Sequence, residues 1–433
     1  MDKNLILVEL NEINFDVVKL YLDKNEILPG FEKLFSEGVI ETSSEDVYDL
    51  LEPWIQWPSV HIGKKFEDHK IFRLGDMVNS NQKQIFEKVE EAGYKVGAIS
   101  PMNTKNNLIC PAYFIPDPWT STESDGGFLS KKITEAISQA VNDNAKSKIT
   151  LKSIFFLMLS FVTLVNYKKY LSLFLYALSS FSKPYRKALF LDLFLFEIHL
   201  TLYKRRNPNF STVFLNAGAH IQHHYFFNSS VLKNNHLSNP SWYMKENEDP
   251  ILDMIKCYDN MISELFLVKD TEFIIATGLS QKPYDAVKFY YRLNNHQNFL
   301  SLLNIDFKKV QPRMTRDFLI EFHNEDLANK AQDVLSSIKV DNQDLLFKEI
   351  DNRGKDLFVT LSYPKEITDN SKINIGSESF NLKDHVTFVA IKNGMHSEKG
   401  FAYFSSKVRQ HAPENGDHVS NIFVTLSKFF NIV

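Results

Sequence analysis

The chain has 433 residues, 44% of them hydrophobic and 24% charged, a balance that buries a sizeable core and excludes disorder, collagen and a disulfide scaffold. Lys plus Arg total 49 against 53 Asp plus Glu, a net charge of −4, which gives no overall attraction to nucleic acid and excludes a basic DNA-wrapping protein. Its two cysteines, Cys110 and Cys257, lack metal-type spacing and fit either a reducing compartment or indifference to redox state.

No secretory pattern precedes the first apolar run, so the expectation is a cytoplasmic chain. Leu5 to Leu10 reads as a buried strand, Phe15 to Leu22 as a helix and Val39-Ile40 as a short strand. Gln84 to Ala92 is an amphipathic helix ended by Gly93, and Lys95 to Ile99 is a further strand. This rhythm predicts an α/β fold with a mostly parallel central sheet and helices on both faces. Thr212 to Leu215 and Glu272 to Ala276 are short apolar runs followed by small or polar residues, and ligand groups gather at such carboxyl ends of strands.

From about Thr150 to Arg206 the composition turns apolar and aromatic. Three runs, Ile154 to Val165, Tyr170 to Phe181 and Leu189 to Leu202, are joined by Lys168-Lys169 and by Lys183 to Lys187. Each falls short of the roughly 20 residues that cross a bilayer. Three readings stay open: a helical insertion packed on the core or a partner, a peripheral membrane contact through 154–203 with basic connectors at the headgroups, and a tilted span. Further on, Asp317 to Phe322, Leu345 to Ile350 and Leu357 to Ser362 read as strands and Glu325 to Ser337 as a helix, a small α+β cap. Phe388 to Ile391 is expected to return to the main sheet, and Ser420 to Phe430 to close the chain as a helix. The expected division is a core of 1–149, 207–285 and 386–433, a helical insertion at 150–206 and a cap at 286–385.

The most specific local feature is Asn216-Ala217-Gly218-Ala219-His220-Ile221-Gln222-His223-His224, directly after a predicted strand. His220 and His224, four apart, would share a helix face and could ligate one metal; equally, the histidines could only hydrogen-bond in a polar cleft. Trp54 and Trp57 beside Gln56 could form a stacking wall for a sugar or base, or simply pack. Arg292, with Arg313 and Arg316 in the run Pro312 to Asp317, could read an anionic group bidentately or form surface salt bridges.

The order of motifs resembles the alkaline phosphatase superfamily in its phosphodiesterase, nucleotide pyrophosphatase and sulfatase branches. Asn11 to Asp16 lies where the family has an Asp-Gly motif after its first strand, and Leu28 to Leu34 with Glu37-Gly38-Val39 is similar to a family helix. Ser59 to Gly63 with His69 resembles the helix after the nucleophile, and Asn216 to His220 has the spacing of the family's Asp-x-x-Gly-His. Tyr258-Asp259, Ala276 to Ser280 and His396 follow in the family's order. The resemblance implies that fold, and hydrolysis or transfer of a phosphate or sulfate group at a metal centre.

The departures bear on chemistry. Asn11 and Asn216 stand where the resemblance calls for Asp, and Gly278 and Leu279 where it calls for Asp and His. A neutral amide oxygen is a weaker ligand than a carboxylate, so the second metal site is expected to be lost, leaving one Zn or Mn ion at most, or none. Candidate ligands are Glu9, His220, His224 and His396, with His223 available as ligand or acid–base group. Glu12 also flanks Asn11, but the strand pleat puts Glu9 and Asn11 on one face and turns Glu12 away. Glu52 or Ser59 is the candidate nucleophile or base, and Asn11, Trp54, Gln56, Asn216 and the three arginines are candidate substrate contacts. Three functions stay open: a hydrolase or group transferase on an anionic small molecule, glycan or lipid-linked ester at the inner membrane face; a pseudoenzyme acting as a binding module; and a metal-independent transferase using the histidines.

Overall fold

The computed structural model describes residues 3–142, 150–232, 237–313, 316–376 and 378–432. Strands β1 (Leu5–Leu10), β2 (Val39–Ser43), β3 (Val96–Ile99), β4 (Tyr113–Ile115), β5 (Phe210–Leu215) and β6 (Glu272–Ala276) join the strand Lys399–Phe404 in one seven-stranded sheet. β1 is buried along its whole length because it lies between two parallel neighbours, with Leu5 opposite Phe210 of β5 and Glu272 of β6. β3 and β4 extend the parallel set, and only Lys399–Phe404 runs antiparallel, between β2 and β6. The common register brings the carboxyl ends of β1, β5 and β6 together, and with them Asn11, Asn216 and Thr277.

Helices cover both faces. Pro53–Ile62, Ile85–Glu91 and Asn421–Phe430 pack with Leu5, Leu7, Phe210, Phe214 and Ile274 in one apolar cluster. Arg186–Arg206, Ala217–Tyr225 and Pro250–Leu265 pack together on the other side. Ile85–Glu91 starts with a reciprocal box in which Gln84 N–H donates to Glu87 Oε2 at 3.0 Å, the pattern that satisfies orphan donors at a helix start. The three apolar runs form helices at Leu151–Leu164, Tyr170–Ser179 and Arg186–Arg206. The third is part of the sheet's own helix layer, with Phe194, Phe196 and Ile198 buried and contacts to β5 and β3.

The chain divides into two compact units, Met1–Lys233 with Asn247–Pro283 and Gly394–Val433, and Asn234–Glu246 with Tyr284–Asn393. The second has two four-stranded antiparallel sheets and the helix Glu325–Ser337 around Phe318, Ile320, Leu335, Leu357 and Val359. Two strand expectations are corrected there. Leu345 to Ile350 is not one strand: Asp344–Leu345 and Glu349–Asn352 belong to different sheets, and buried Leu346 and Phe347 carry the crossing. Phe388 to Ile391 does not return to the main sheet; it lies in Val386–Ser397, which pairs with Ser280–Leu293 as a two-stranded ribbon.

Candidate active site

The site grows from the turn after β1. Glu12 N–H donates to Thr277 O at 3.0 Å, and Glu12 takes φ 62°, a left-handed conformation costing a non-glycine residue about 1–3 kcal/mol. That turn breaks the pleat. Glu9 and Asn11 do face one helix, Pro53–Ile62, where Glu9 Oε1 lies 2.9 Å from His61 Nε2 and Asn11 Oδ1 accepts from Trp57 Nε1 at 2.8 Å. Glu12 is turned elsewhere, and Gln222 Nε2 holds its carbonyl at 2.7 Å. Asn14 locks the same turn, its N–H donating to Gln222 Oε1 (3.0 Å) and its Nδ2 to Gln281 O (2.8 Å), while its Oδ1 caps the helix Phe15–Asp23.

Glu12 is 2% exposed. Its Oε2 lies 3.2 Å from Nε2 of both His223 and His396, and those two nitrogens are 3.3 Å apart. Gln281 Nε2 also donates to Oε2. Burial opposes ionisation of this carboxyl, but the two imidazoles outweigh it and hold the pKa well below the usual range. Each ring has an acceptor near its other nitrogen: His223 Nδ1 is 3.2 Å from Gly394 O, and His396 Nδ1 is 3.7 Å from Glu52 Oε2. With its proton on Nδ1, neutral His223 donates to Gly394 O and directs its Nε2 lone pair toward the space shared with Glu12 and His396; with a proton on Nε2 it donates to Glu12. Oriented imidazoles of this kind are what metal-binding histidines need. Glu12, His223 and His396 are the group among the described residues whose donor atoms converge within 4.8 Å.

Neighbouring groups close the other half. Asn11 Nδ2 donates to Asn216 Oδ1 at 2.8 Å and to Glu12 Oε1 at 3.1 Å, so the two positions that would be carboxylates in the resemblance are paired amides. Gly278, with φ 72°, lies where any Cβ would meet the Trp57 ring at 3.1 Å. Asn216 is the residue before the helix Ala217–Tyr225, and Asp192 caps that helix by accepting from Asn216 N–H (3.1 Å) and Ala217 N–H (2.8 Å). Burial raises the Asp192 pKa to about 6, against the hydrogen bond from Tyr258. Gly218 leaves room that a Cβ would take, falling 1.9 Å from Ile13 Cδ1 and 2.9 Å from Tyr258 Cε2, so a larger residue there would push both side chains aside.

The other sequence candidates fall as follows. Glu9 is fully buried on His61 and on Thr212 Oγ1 (2.7 Å), apart from the converging group. His220 and His224 do share a helix face, with rings 4.9 Å apart, but His220 is exposed and neither belongs to the converging group. Glu52 precedes the helix Pro53–Ile62, half-buried beside His396. Gln56 is buried and donates to Leu50 O at 3.0 Å, and Trp54 donates to Phe72 O at 3.2 Å. Arg292, Arg313 and Arg316 are on the second unit. Arg316 stacks on Tyr290 at 4.0 Å and reaches Glu349 at 3.9 Å, while Arg313 is exposed; Met314 and Thr315 of that run lie outside the described residues.

Ser59 is fully buried and is not arranged as a nucleophile. Its hydroxyl donates to Ile55 O (3.1 Å) and meets His69 Nε2 at 2.9 Å. His69 Nδ1 accepts from Ile71 N–H, and burial lowers its pKa to about 4, so the neutral ring carries its proton on Nε2 and donates to Ser59. A base must accept from its nucleophile, and here the proton points the wrong way. Ser59→Ala is therefore expected to keep turnover while losing about 1 kcal/mol of stability, read by steady-state kinetics and urea unfolding; a hundredfold fall in kcat would contradict this.

Sequence reasoning named His223 and His396 but set Glu12 aside, weighed Gln281 only beside the arginines as an anion contact, and gave no role to Gln222 or Asp192. A Glu two residues beyond a strand end, where the pleat no longer applies, was the available signal.

No family model and no curated protein matches the chain. Among solved structures, it is similar to phosphonoacetate hydrolase from Sinorhizobium meliloti 1021 in complex with phosphonoformate (11% identity, 99% of this chain and 96% of that one, TM-score 0.46). It is also similar to alkaline phosphatase from the Antarctic bacterium TAB5 (11% identity, 100% and 99%, TM-score 0.43) and to murine ectonucleotide pyrophosphatase/phosphodiesterase 5 (10% identity, 99% and 95%, TM-score 0.41).

Proposed function

We propose that the chain is a phosphate-group hydrolase or transferase built on a single-metal centre of Glu12, His223 and His396. The observation that carries this is the convergence of one carboxylate and two oriented imidazoles at 3.2–3.3 Å. Two nitrogens and one oxygen suit Zn or Mn, and three protein ligands leave a position open, as in catalytic rather than structural sites. When bound, such an ion supplies Lewis acidity toward a phosphoryl oxygen. The chain's own groups do the rest. Gln281 holds the Glu12 carboxylate, Gly394 O orients the His223 ring, and half-buried Glu52, 3.7 Å from His396 Nδ1, is the group that takes up or returns a proton at the ester. The substrate class is an anionic ester, a glycan or lipid-linked intermediate met at the cytoplasmic face of a membrane.

One observation favours a second reading. The same 3.2–3.3 Å separations are hydrogen-bond distances, so in metal-free protein a proton can be shared within the triad, and the histidines could act as acid and base without metal. Purified protein assayed on aryl phosphate mono- and diesters, before and after chelation and Zn or Mn return, separates the two. The metal reading expects activity to vanish with chelator and return with one equivalent of ion. Activity that survives chelation and dies only in His396→Ala would replace it with metal-independent transfer.

A further inference from the structure

Of the 22 large apolar side chains exposed among the described residues, 11 lie between Leu151 and Phe181. They follow the helical period. Leu151, Ile154, Phe155, Met158 and Val162 form one stripe on the helix Leu151–Leu164, and Leu171, Phe174, Leu175 and Leu178 form another on Tyr170–Ser179. The usual burial is inverted, since Ser160 is fully buried and Ser180 nearly so, while Phe155 is 61% exposed and Leu171 68% exposed.

The hydroxyls of these helices need no water. Ser160 donates to Phe156 O (2.7 Å), Thr163 to Leu159 O (2.8 Å), Ser172 to Lys169 O (3.0 Å) and Ser179 to Tyr176 O (3.0 Å). Internal satisfaction of polar groups is what a lipid environment demands. A protein partner would instead look for roughly one hydrogen bond per 100–200 Å², which stripes of Leu, Ile, Phe, Met and Val do not supply.

Charge points the same way. Positions 150–191 hold six basic residues and no acidic one. Three tie the insertion to its own body: Lys169 to Glu264, Lys183 to Glu248 at 4.0 Å, and Arg186 to Asp253 at 2.6 Å. Lys152, Lys168 and Lys187 are exposed. With 14 and 10 residues, the two helices reach about 21 and 15 Å, short of the ~30 Å hydrocarbon core, and their axes bend by 117° between them.

We infer that residues 151–181 seat the chain in one leaflet of an anionic lipid bilayer, the two apolar stripes in the acyl region and the exposed lysines at the headgroups. This surface is independent of the metal centre, whose failure or success it does not touch; its own failure would remove the support for a membrane-borne substrate and leave Glu12, His223 and His396 as they stand. The test is flotation of the full chain with phosphatidylcholine vesicles, with and without phosphatidylglycerol. Binding is expected to rise with phosphatidylglycerol and to fall more than about 10-fold in the combined Phe155→Ser, Met158→Ser, Phe174→Ser and Leu175→Ser variant, with unchanged circular dichroism. Should that variant misfold, Phe155→Trp in the otherwise intact chain keeps the question open to measurement, its fluorescence expected to be quenched by bromine on the acyl chains. Unchanged flotation of the folded variant, or no quenching, would overturn the assignment. So would a dimer in sedimentation equilibrium that the four serines dissolve without any vesicle binding by the parent, which would give the face to a second copy.

Discussion

Glu12→Gln is expected to weaken Zn or Mn binding by more than about 100-fold, beyond the 10–100-fold typical of losing a group that merely supports a ligand, and to abolish metal-dependent turnover with it. The amide keeps the shape and the strained turn but removes the charge that faces both imidazoles at 3.2 Å. His224→Ala is the matched control, since His224 is on the same helix but outside the converging group, and it should leave affinity little changed. The pH dependence of stability gives a second readout on metal-free protein. Because the imidazoles hold the Glu12 pKa below its ordinary value against the opposing effect of burial, the ionised group contributes stability above the unfolded pKa of about 4.3. That contribution is lost as pH falls through the depressed folded value. Wild type should therefore lose its pH-dependent margin over Glu12→Gln only in strong acid, as followed by urea unfolding. Equal metal affinity in the two proteins would remove Glu12 from the centre.

Asn11→Asp is the second large effect, and it runs against what the family resemblance alone would suggest. Restoring the carboxylate does not restore a second metal position, because the surrounding space is committed. Asn11 Nδ2 donates to Asn216 Oδ1 and to Glu12 Oε1, and Trp57 Nε1 donates to Asn11 Oδ1. An Asp there, 1% exposed at the parent position, would lose both donated bonds and set a carboxylate against that of Glu12. Uncompensated buried charge costs about 3 kcal/mol or more. Urea denaturation should show that loss, and metal analysis should find no additional ion. A variant as stable as the parent that takes up two ions would mean that Trp57, Asn216 and Glu12 do not commit the second position.

Much of the sheet is written in local pattern. β1 and β6 follow from short, mostly apolar runs, each carrying one Glu, and the apolar insertion gives its helices by length and composition alone. The ribbon of Ser280–Leu293 and Val386–Ser397 does not announce itself, because Lys282, Asp285 and Lys288 break the alternation that marks a half-buried strand. Leu345 to Ile350 misleads for the opposite reason: two consecutive buried side chains, Leu346 and Phe347, imitate one strand while the chain changes sheets. At the site, spacing names the helix that carries His223 and the histidine at 396, both of which the fold brings to Glu12. It misjudges which imidazole turns inward, since His220 and His223 differ by less than one helical turn and only tertiary packing decides between them. Glu12 is hidden for a backbone reason: pleat logic ends with the strand at Leu10, and the positive φ that redirects the carboxylate has no glycine to signal it.

The central claim is one metal ion held by one carboxylate and two imidazoles. Zinc K-edge absorption and anomalous diffraction on zinc-loaded protein test it most directly. The account predicts a single ion per chain with Glu12, His223 and His396 as its protein ligands, at zinc–nitrogen and zinc–oxygen distances of about 2.0–2.2 Å. Two ions about 3.5–4 Å apart, or one ion bound elsewhere while Glu12 remains hydrogen-bonded to metal-free imidazoles, would contradict it.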